Sequence, residues 1–185
     1  MARVSASRPE LSVATHWRIV AALSHCLDRD PSEAVLLVGC DFAGLHEFMQ
    51  VTAAKGAAKS LRGRSVYFQL LACVLSRALL RECALPLCNL LTEGASKFLL
   101  LLPGGAAADF EAFRREITSR IIDLHGLEFT PQIAAIQSAA ADLSDPGYQS
   151  IGRALHRRMV EASQSRIALR RTWWQRVCHS HRRKS

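Results

Sequence analysis

A short run of apolar residues that ends in polar ones constrains the fold most. Residues 34–38 are continuously apolar, and Gly39, Cys40 and Asp41 follow them. A run of this length between turn residues is typical of a strand that is covered on both faces. The pattern therefore predicts a buried strand over 34–38, with Asp41 at its carboxyl end.

The residues that follow predict a helix and a hairpin. Residues 44–51 are consistent with a short helix, and apolar residues on most turns of 61–83 predict a long, largely buried one. Two apolar segments, 87–91 and 98–102, lie on either side of Gly94 and predict a β-hairpin.

The remaining segments complete one α+β domain. A second helix is predicted over 107–124, and a last strand over 127–136, in which Pro131 requires an edge or a bulge. The order β-α-β-β-α-β is that of the ferredoxin-like unit, whose two helices cover one face of an antiparallel sheet. Further helices are predicted over 12–27 and 151–162.

Length and charge suggest one domain with a basic tail. A chain of 185 residues, 49% of them hydrophobic, buries one good core. The net charge of +8 is uneven, because residues 150–185 contain ten Lys or Arg and a single Glu. We expect a loose N-terminus over 1–10, a folded domain with its leading helix over 11–168, and a disordered basic tail over 169–185.

Several classes of protein are excluded by composition. Arg3 and Arg8 have no apolar run behind them, so no signal peptide is predicted. The apolar stretches are shorter than the roughly 20 residues that span a bilayer, so we expect a cytoplasmic protein without a membrane partner. The six cysteines include no Cys-x-x-Cys pair, and no zinc site is predicted.

Three separated motifs resemble a known family. They are DFAGLHEF at 41–48, LRGRS at 61–65 and GASKF at 94–98. They are similar, in this order, to motifs in the first palm domain of the large subunit of type III CRISPR effector complexes, Csm branch (subtype III-A). The resemblance covers about residues 11–168 and implies a ferredoxin-like palm that is truncated from a larger subunit.

The resemblance implies a role in antiviral defence without catalysis by this chain alone. In the family, ATP binds between two palms, and a Gly-Gly-Asp-Asp hairpin on the second palm holds the metals for cyclic oligoadenylate synthesis. This sequence has neither that motif nor the family's HD nuclease domain. The implied cofactor is ATP with Mg²⁺. The implied partners are the other effector subunits, crRNA, and a second palm on another chain or in a homodimer.

Candidate site residues follow from the matched motifs. The nucleotide-binding candidates are Asp41, Ala43, Gly44, Lys59, Arg62, Arg64, Ser65, Gly94 and Ser96. Asp41 is also a candidate Mg²⁺ ligand, because hard oxygen ligands bind that ion together with phosphates. Alternatively, Asp41 is a turn residue that caps the next helix, and Arg62 and Arg64 pair with acids of a missing neighbouring domain.

The tail offers a second function. Aromatic and basic residues alternate in it, as in surfaces where rings stack on bases and arginines meet phosphates. The candidates are Arg170, Arg171, Trp173, Trp174 and Arg176. The chain would then be a stand-alone nucleic-acid-binding module. The other alternative is a non-functional gene fragment whose tail is read-through beyond a truncation.

Overall fold

The computed structural model describes residues 12–45, 48, 57–126, 128–143 and 149–162. The helices and strands are α1 (Val13–Arg29), β1 (Ala34–Ala43), α2 (Ala57–Glu82), β2 (Leu90–Gly94), β3 (Lys97–Pro103), α3 (Ala107–His125), β4 (Thr130–Ala139) and α4 (149–162). Short 3₁₀ turns cover Leu87–Asn89, Gly104–Ala106 and Ala140–Leu143. None of the helices described is both long and apolar enough to cross a membrane.

The four strands form one antiparallel sheet in the order β2-β3-β1-β4. This order, with α2 and α3 as the two connecting helices, is the ferredoxin-like arrangement, so the predicted fold class is confirmed. Pro131 lies on β4, an edge strand, which is where a residue without a backbone N–H is tolerated. Ser12 is the N-cap of α1, since its hydroxyl accepts a hydrogen bond from the amide of Thr15 at 3.1 Å.

The larger core lies between the sheet and the α2/α3 layer. Even-numbered residues of β1 point into it, because successive side chains of a strand alternate between faces. They meet aromatic and aliphatic side chains of both helices, of which Phe68 and Phe110 are nearly inaccessible. Each such side chain contributes about 1.5–3 kcal/mol on burial. This layer therefore provides most of the hydrophobic stabilisation.

The opposite face of the sheet is covered by α1 and α4. Val35 and Leu37 of β1 form a second core with residues that include Cys26 of α1 and Leu155 of α4. The α4 helix comes so close to β1 that a β-carbon added at Gly39 would lie 2.9 Å from the Met159 sulfur. Helices thus cover both faces of the sheet. The predicted arrangement, with one covered face, applies only to the inner unit, which consists of the sheet with α2 and α3.

Three predicted boundaries are corrected by the structure. β1 continues to Ala43, so Asp41 lies inside the strand and not at the end of a five-residue one. β2 starts at Leu90, after a 3₁₀ turn, and β4 is shifted to Thr130–Ala139. The predicted helix over 44–51 lies largely outside the described residues.

The Asp30 carboxylate connects the start of β1 with the end of β3, at the side of the sheet far from Asp41. Asp30, just after α1, accepts hydrogen bonds from the Ser32 hydroxyl at 2.6 Å and from the Gly105 amide at 2.7 Å. Gly104 packs directly on β1, because a β-carbon there would lie 2.6 Å from that of Ala34. These hydrogen bonds hold the pKa of Asp30 below its ordinary value.

Two arginines donate to the edge strands from the α1/α4 layer. Arg18 of α1 donates to the carbonyl of Leu91 on β2 at 3.5 Å, and Arg158 of α4 donates to the carbonyl of Ala135 on β4 at 2.8 Å. Each outer strand is therefore tied to a helix by a side chain. The contacts fix both helices in position over the sheet.

Candidate functional site

Asp41 lies on the face of the sheet that α1 and α4 cover, because it is odd-numbered like Val35 and Leu37. It sits two residues beyond Gly39, where α4 packs. Its side chain is 24% exposed, and its carboxylate lies 2.8 Å from the Lys97 ammonium. The end of this face therefore carries a partly accessible ion pair.

The second carboxylate oxygen of Asp41 is also engaged. The Phe42 amide donates to Oδ1 at 2.8 Å, and the Ser96 hydroxyl donates to the same atom at 3.5 Å. Asp41 and Ser96, two of the predicted nucleotide-binding residues, are thus brought together. Ser96 is buried, with 5% of its surface exposed, so its hydroxyl serves Asp41 and is poorly placed to meet a ligand.

The hairpin turn that carries Ser96 is strained at one position. Ala95 has a φ of 52°, a left-handed conformation that costs an L-residue with a β-carbon about 1–2 kcal/mol. Gly94 is also a predicted site residue, and no described atom beyond its two chain neighbours lies within 4 Å of a β-carbon built on it. The turn thus leaves room beside Lys97 at the start of β3.

Arg64 is occupied on the other side of the sheet. It belongs to α2, donates to the carbonyl of Phe48, and stacks its guanidinium 4.8 Å from the centre of that ring. The ring of Phe48 in turn packs edge-on against Phe68 and Phe129. Arg64 therefore fixes Phe48 onto the core. Neither a phosphate nor an acid of another domain is needed to explain it.

The predicted nucleotide set is divided between two layers. Lys59 and Arg62 are exposed and Ser65 is partly buried on α2, whereas Asp41 and Ser96 lie at the end of the opposite face. Because α2 begins at Ala57, Arg64 and Ser65 lie in its third turn and not at its N-terminus. The helix dipole, which acts within the first turn, does not favour an anion at these two residues.

Ala43 and Gly44 end β1 and start the next turn. Gly44 has a φ of 81°, which glycine adopts without strain, and its carbonyl accepts a hydrogen bond from the Phe48 amide at 2.9 Å. The two residues are half-buried. They lie two and three residues beyond Asp41, and their use by a nucleotide stays a prediction.

The donor set at Asp41 does not fit a divalent cation. Both oxygens already accept hydrogen bonds, and Lys97 supplies the compensating positive charge. Within the described part of the chain, no three His, Cys, Asp or Glu side chains gather into a possible metal site. Cys40 points into the core, where burial raises the pKa of its thiol, so it is not an additional ligand.

Two polar residues next to Asp41 were missed by the sequence analysis. Lys97 opens β3, and Gln132 of β4 lies directly across from Asp41 in the strand register. Their proximity depends on which strands pair and in which register, which no local motif specifies. The alternation of polar and apolar residues in β4 was the only available signal for Gln132.

The outer surface of α2 carries an apolar row. Val66, Leu70 and Val74 are spaced four residues apart and are 50%, 58% and 60% exposed. Residues at this spacing lie on one side of a helix. A continuous exposed row of this kind is typical of a surface that another protein covers.

The tail candidates, including Trp173 and Arg176, lie outside the described residues.

Comparisons with known proteins identify the family. The family model for Csm1 subunit domain B matches residues 34–175. A curated relative from Mycobacterium tuberculosis, the CRISPR system single-strand-specific deoxyribonuclease Cas10/Csm1 (subtype III-A), is 31% identical over 127 residues. The match covers 68% of this chain and 16% of the relative, so the chain spans about a sixth of that protein's length.

Solved structures show the same fold. A Csm1-Csm4 cassette in complex with AMPPNP superposes with a TM-score of 0.77 at 17% identity, covering 88% of this chain and 24% of that one. Csm1 from T. onnurineus superposes with a TM-score of 0.73 at 18% identity, covering 84% of this chain and 24% of that one. The chain therefore belongs to the Csm1 subunit domain B family, the palm domain of the Csm-branch large subunit of type III CRISPR effectors.

Proposed function

We propose that this chain is the palm-domain part of a type III CRISPR effector large subunit and acts in antiviral defence. It contributes to ATP binding for cyclic oligoadenylate synthesis, or to scaffolding of the crRNA-guided complex, and is not catalytic alone. The observation that carries the proposal is the match of the Csm1 domain B model to residues 34–175. A cytoplasmic location follows from this role.

Nucleotide binding is supported by a neighbour and by the polar end of the sheet. The Csm1-Csm4 cassette that shares this fold was crystallised with AMPPNP. In this chain Asp41, Lys97 and Gln132 place one acid, one base and one amide at the end of one face. One carboxylate does not build a two-metal centre, which needs ions about 4 Å apart and bridged by acids. The metal ions would therefore be held by a second palm domain.

Assembly with other subunits is supported by the apolar row Val66, Leu70 and Val74. Covering these side chains would remove apolar surface from water at about 25 cal/mol per Å². We propose that a second palm, on another chain or in a homodimer, covers this row. Csm4 is the subunit present in the similar cassette, and a Csm4-type subunit with crRNA completes the proposed complex.

Native mass spectrometry tests the assembly. The chain is purified with a tag from cells that express the remaining effector subunits and crRNA. We expect recovery of a complex that contains those subunits and the RNA. Recovery of the chain alone, with its normal circular dichroism spectrum, would refute the proposal.

Two matched variants locate the contact. Leu70→Lys places a charge in the centre of the apolar row, and we expect it to reduce recovery of the partner subunits at least about tenfold, because a buried unpaired charge is costly. Gln69→Lys adds the same charge at the neighbouring exposed position and should leave recovery unchanged. Equal losses in both variants would show that the row is not the contact.

A further inference from the structure

Three polar side chains form a row across adjacent strands, which we name the cross-strand row: Lys97 of β3, Asp41 of β1 and Gln132 of β4. Asp41 pairs with Gln132 in the β1–β4 register, and Lys97 immediately precedes Phe98, which pairs with Cys40 at the end of the β1–β3 register. The row lies on the α1/α4 face, beyond the point where α4 packs on β1. It is therefore a partly exposed polar strip at the end of an otherwise apolar face.

The central acid of the row is already neutralised from within the chain. Lys97 lies 2.8 Å from Oδ2 of Asp41, and the Phe42 amide and the Ser96 hydroxyl donate to Oδ1. A divalent cation that bound Asp41 would have to displace this ammonium from the carboxylate. The position of the cation is thus taken by Lys97.

Lys97 keeps capacity for an anion. An ammonium group has three donors, and Asp41 uses one of them. The side chain is 66% exposed, so its other two donors are open to solvent or to a ligand. Gln132, at the other end of the row and half-buried, adds an amide with two donors. By contrast, the guanidinium of Arg64 is engaged by Phe48 on the other side of the sheet.

We propose that the cross-strand row binds the phosphate groups of a nucleotide without a metal ion on this palm. Lys97 is the phosphate ligand, Gln132 donates a second hydrogen bond, and Asp41 is a positioning residue that holds the ammonium over the sheet. This inference rests on the proposed nucleotide-binding function and specifies its chemistry. It replaces the expected Mg²⁺ at Asp41 by a lysine that is part of the fold.

Isothermal titration calorimetry with ATP tests the inference on the full chain, in the complex if the complex is recovered. One titration contains Mg²⁺ and the other an excess of EDTA. We expect the ATP affinities of the two titrations to agree within about twofold. Titrating the chain alone, without the complex, removes any contribution from metal that a second palm binds. We expect Lys97→Met to weaken binding about tenfold, since a charge-assisted hydrogen bond is lost.

Three variants control the result. Lys97→Arg keeps the charge and should retain most of the affinity, whereas Gln132→Leu should weaken binding severalfold. Arg120→Met removes a cation from the exposed pair with Glu116 on α3 and should leave the affinity unchanged. The circular dichroism spectrum of each variant establishes that it is folded.

The possible outcomes separate the inference from the function. ATP binding that is lost on chelation, or that is unchanged in Lys97→Met, would overturn the inference and leave nucleotide binding intact. No ATP binding by the folded chain or its complex under either condition would overturn both. Metal-independent binding that requires Lys97 would support both.

Discussion

Adding one methyl group at Gly104 should destabilise the protein strongly. A β-carbon built there lies 2.6 Å from the β-carbon of Ala34 and 3.1 Å from its carbonyl oxygen. Carbon atoms prefer a separation of about 3.5–4.0 Å, so the two segments must move apart by about 1 Å. Ala34 belongs to the central strand β1 and cannot rotate away. The same displacement stretches the hydrogen bond from Gly105 to Asp30.

We therefore expect Gly104→Ala to cost about 3 kcal/mol, the upper end of the range for overpacking. For a chain of this size the melting temperature should fall by about 6–12 °C. The free energy of unfolding is measured by urea denaturation, followed by circular dichroism. The cost is large compared with the 5–15 kcal/mol by which native domains are typically stable.

The adjacent glycine is the matched control. Among the described residues, a β-carbon at Gly105 would meet only the Asp30 carboxylate, at an ordinary 3.6 Å, and Gly105 is exposed. Gly105→Ala should change the free energy of unfolding by no more than about 0.5 kcal/mol. If the two variants were equally stable, the close packing of the 3₁₀ turn on β1 would be refuted.

Three further predictions concern the turn, the α2 arginines and pH. Ala95→Gly should raise the free energy of unfolding by about 0.5–1 kcal/mol, because relief of the left-handed strain exceeds the entropy gained by the unfolded chain; a lower urea midpoint would contradict this. Arg64→Ala should lower the free energy of unfolding by about 1.5 kcal/mol through loss of the Phe48 contacts. Arg62→Ala, at an exposed position, should change it little. Equal effects of the two variants would refute the anchoring role of Arg64. Because the pKa of Asp30 is lowered on folding, its contribution is present above the unfolded pKa and is lost as the pH falls through the folded value, below about pH 4. Urea midpoints measured across this pH range should fall less steeply in Asp30→Asn, and an unchanged slope would contradict the assignment.

The inner fold was predictable from local patterns, but the ends of the strands were not. Gly39 and Asp41 have the composition of a turn, and β1 was accordingly predicted to stop at Val38. In the structure Gly39 is a strand residue that is small because α4 packs on it. The packing of α4 on β1 therefore requires a glycine at position 39, although glycine in a sequence normally indicates the end of a strand.

The residues of the candidate site were predicted only in part, because contacts between distant segments decide which of them meet. The matched motifs located Asp41 and the hairpin, and these do meet through Ser96. Arg64 also belongs to a matched motif, yet it lies on α2, on the other side of the sheet from Asp41, where its guanidinium contacts Phe48. Gln132 lies in no matched motif, and it reaches Asp41 only because β4 pairs with β1 in this register.

The two edge arginines, Arg18 and Arg158, have a consequence for the protein before it finds its partners. An exposed edge strand is a template on which another chain can add a strand, the first step towards fibres. Here each edge strand has a guanidinium bound to one of its carbonyls, and a charge at the edge opposes such templating. Both arginines come from α1 and α4, the helices outside the inner ferredoxin-like unit. A version of the domain trimmed to that unit would expose its second face and both edges together, and we expect it to aggregate where the full chain stays dispersed.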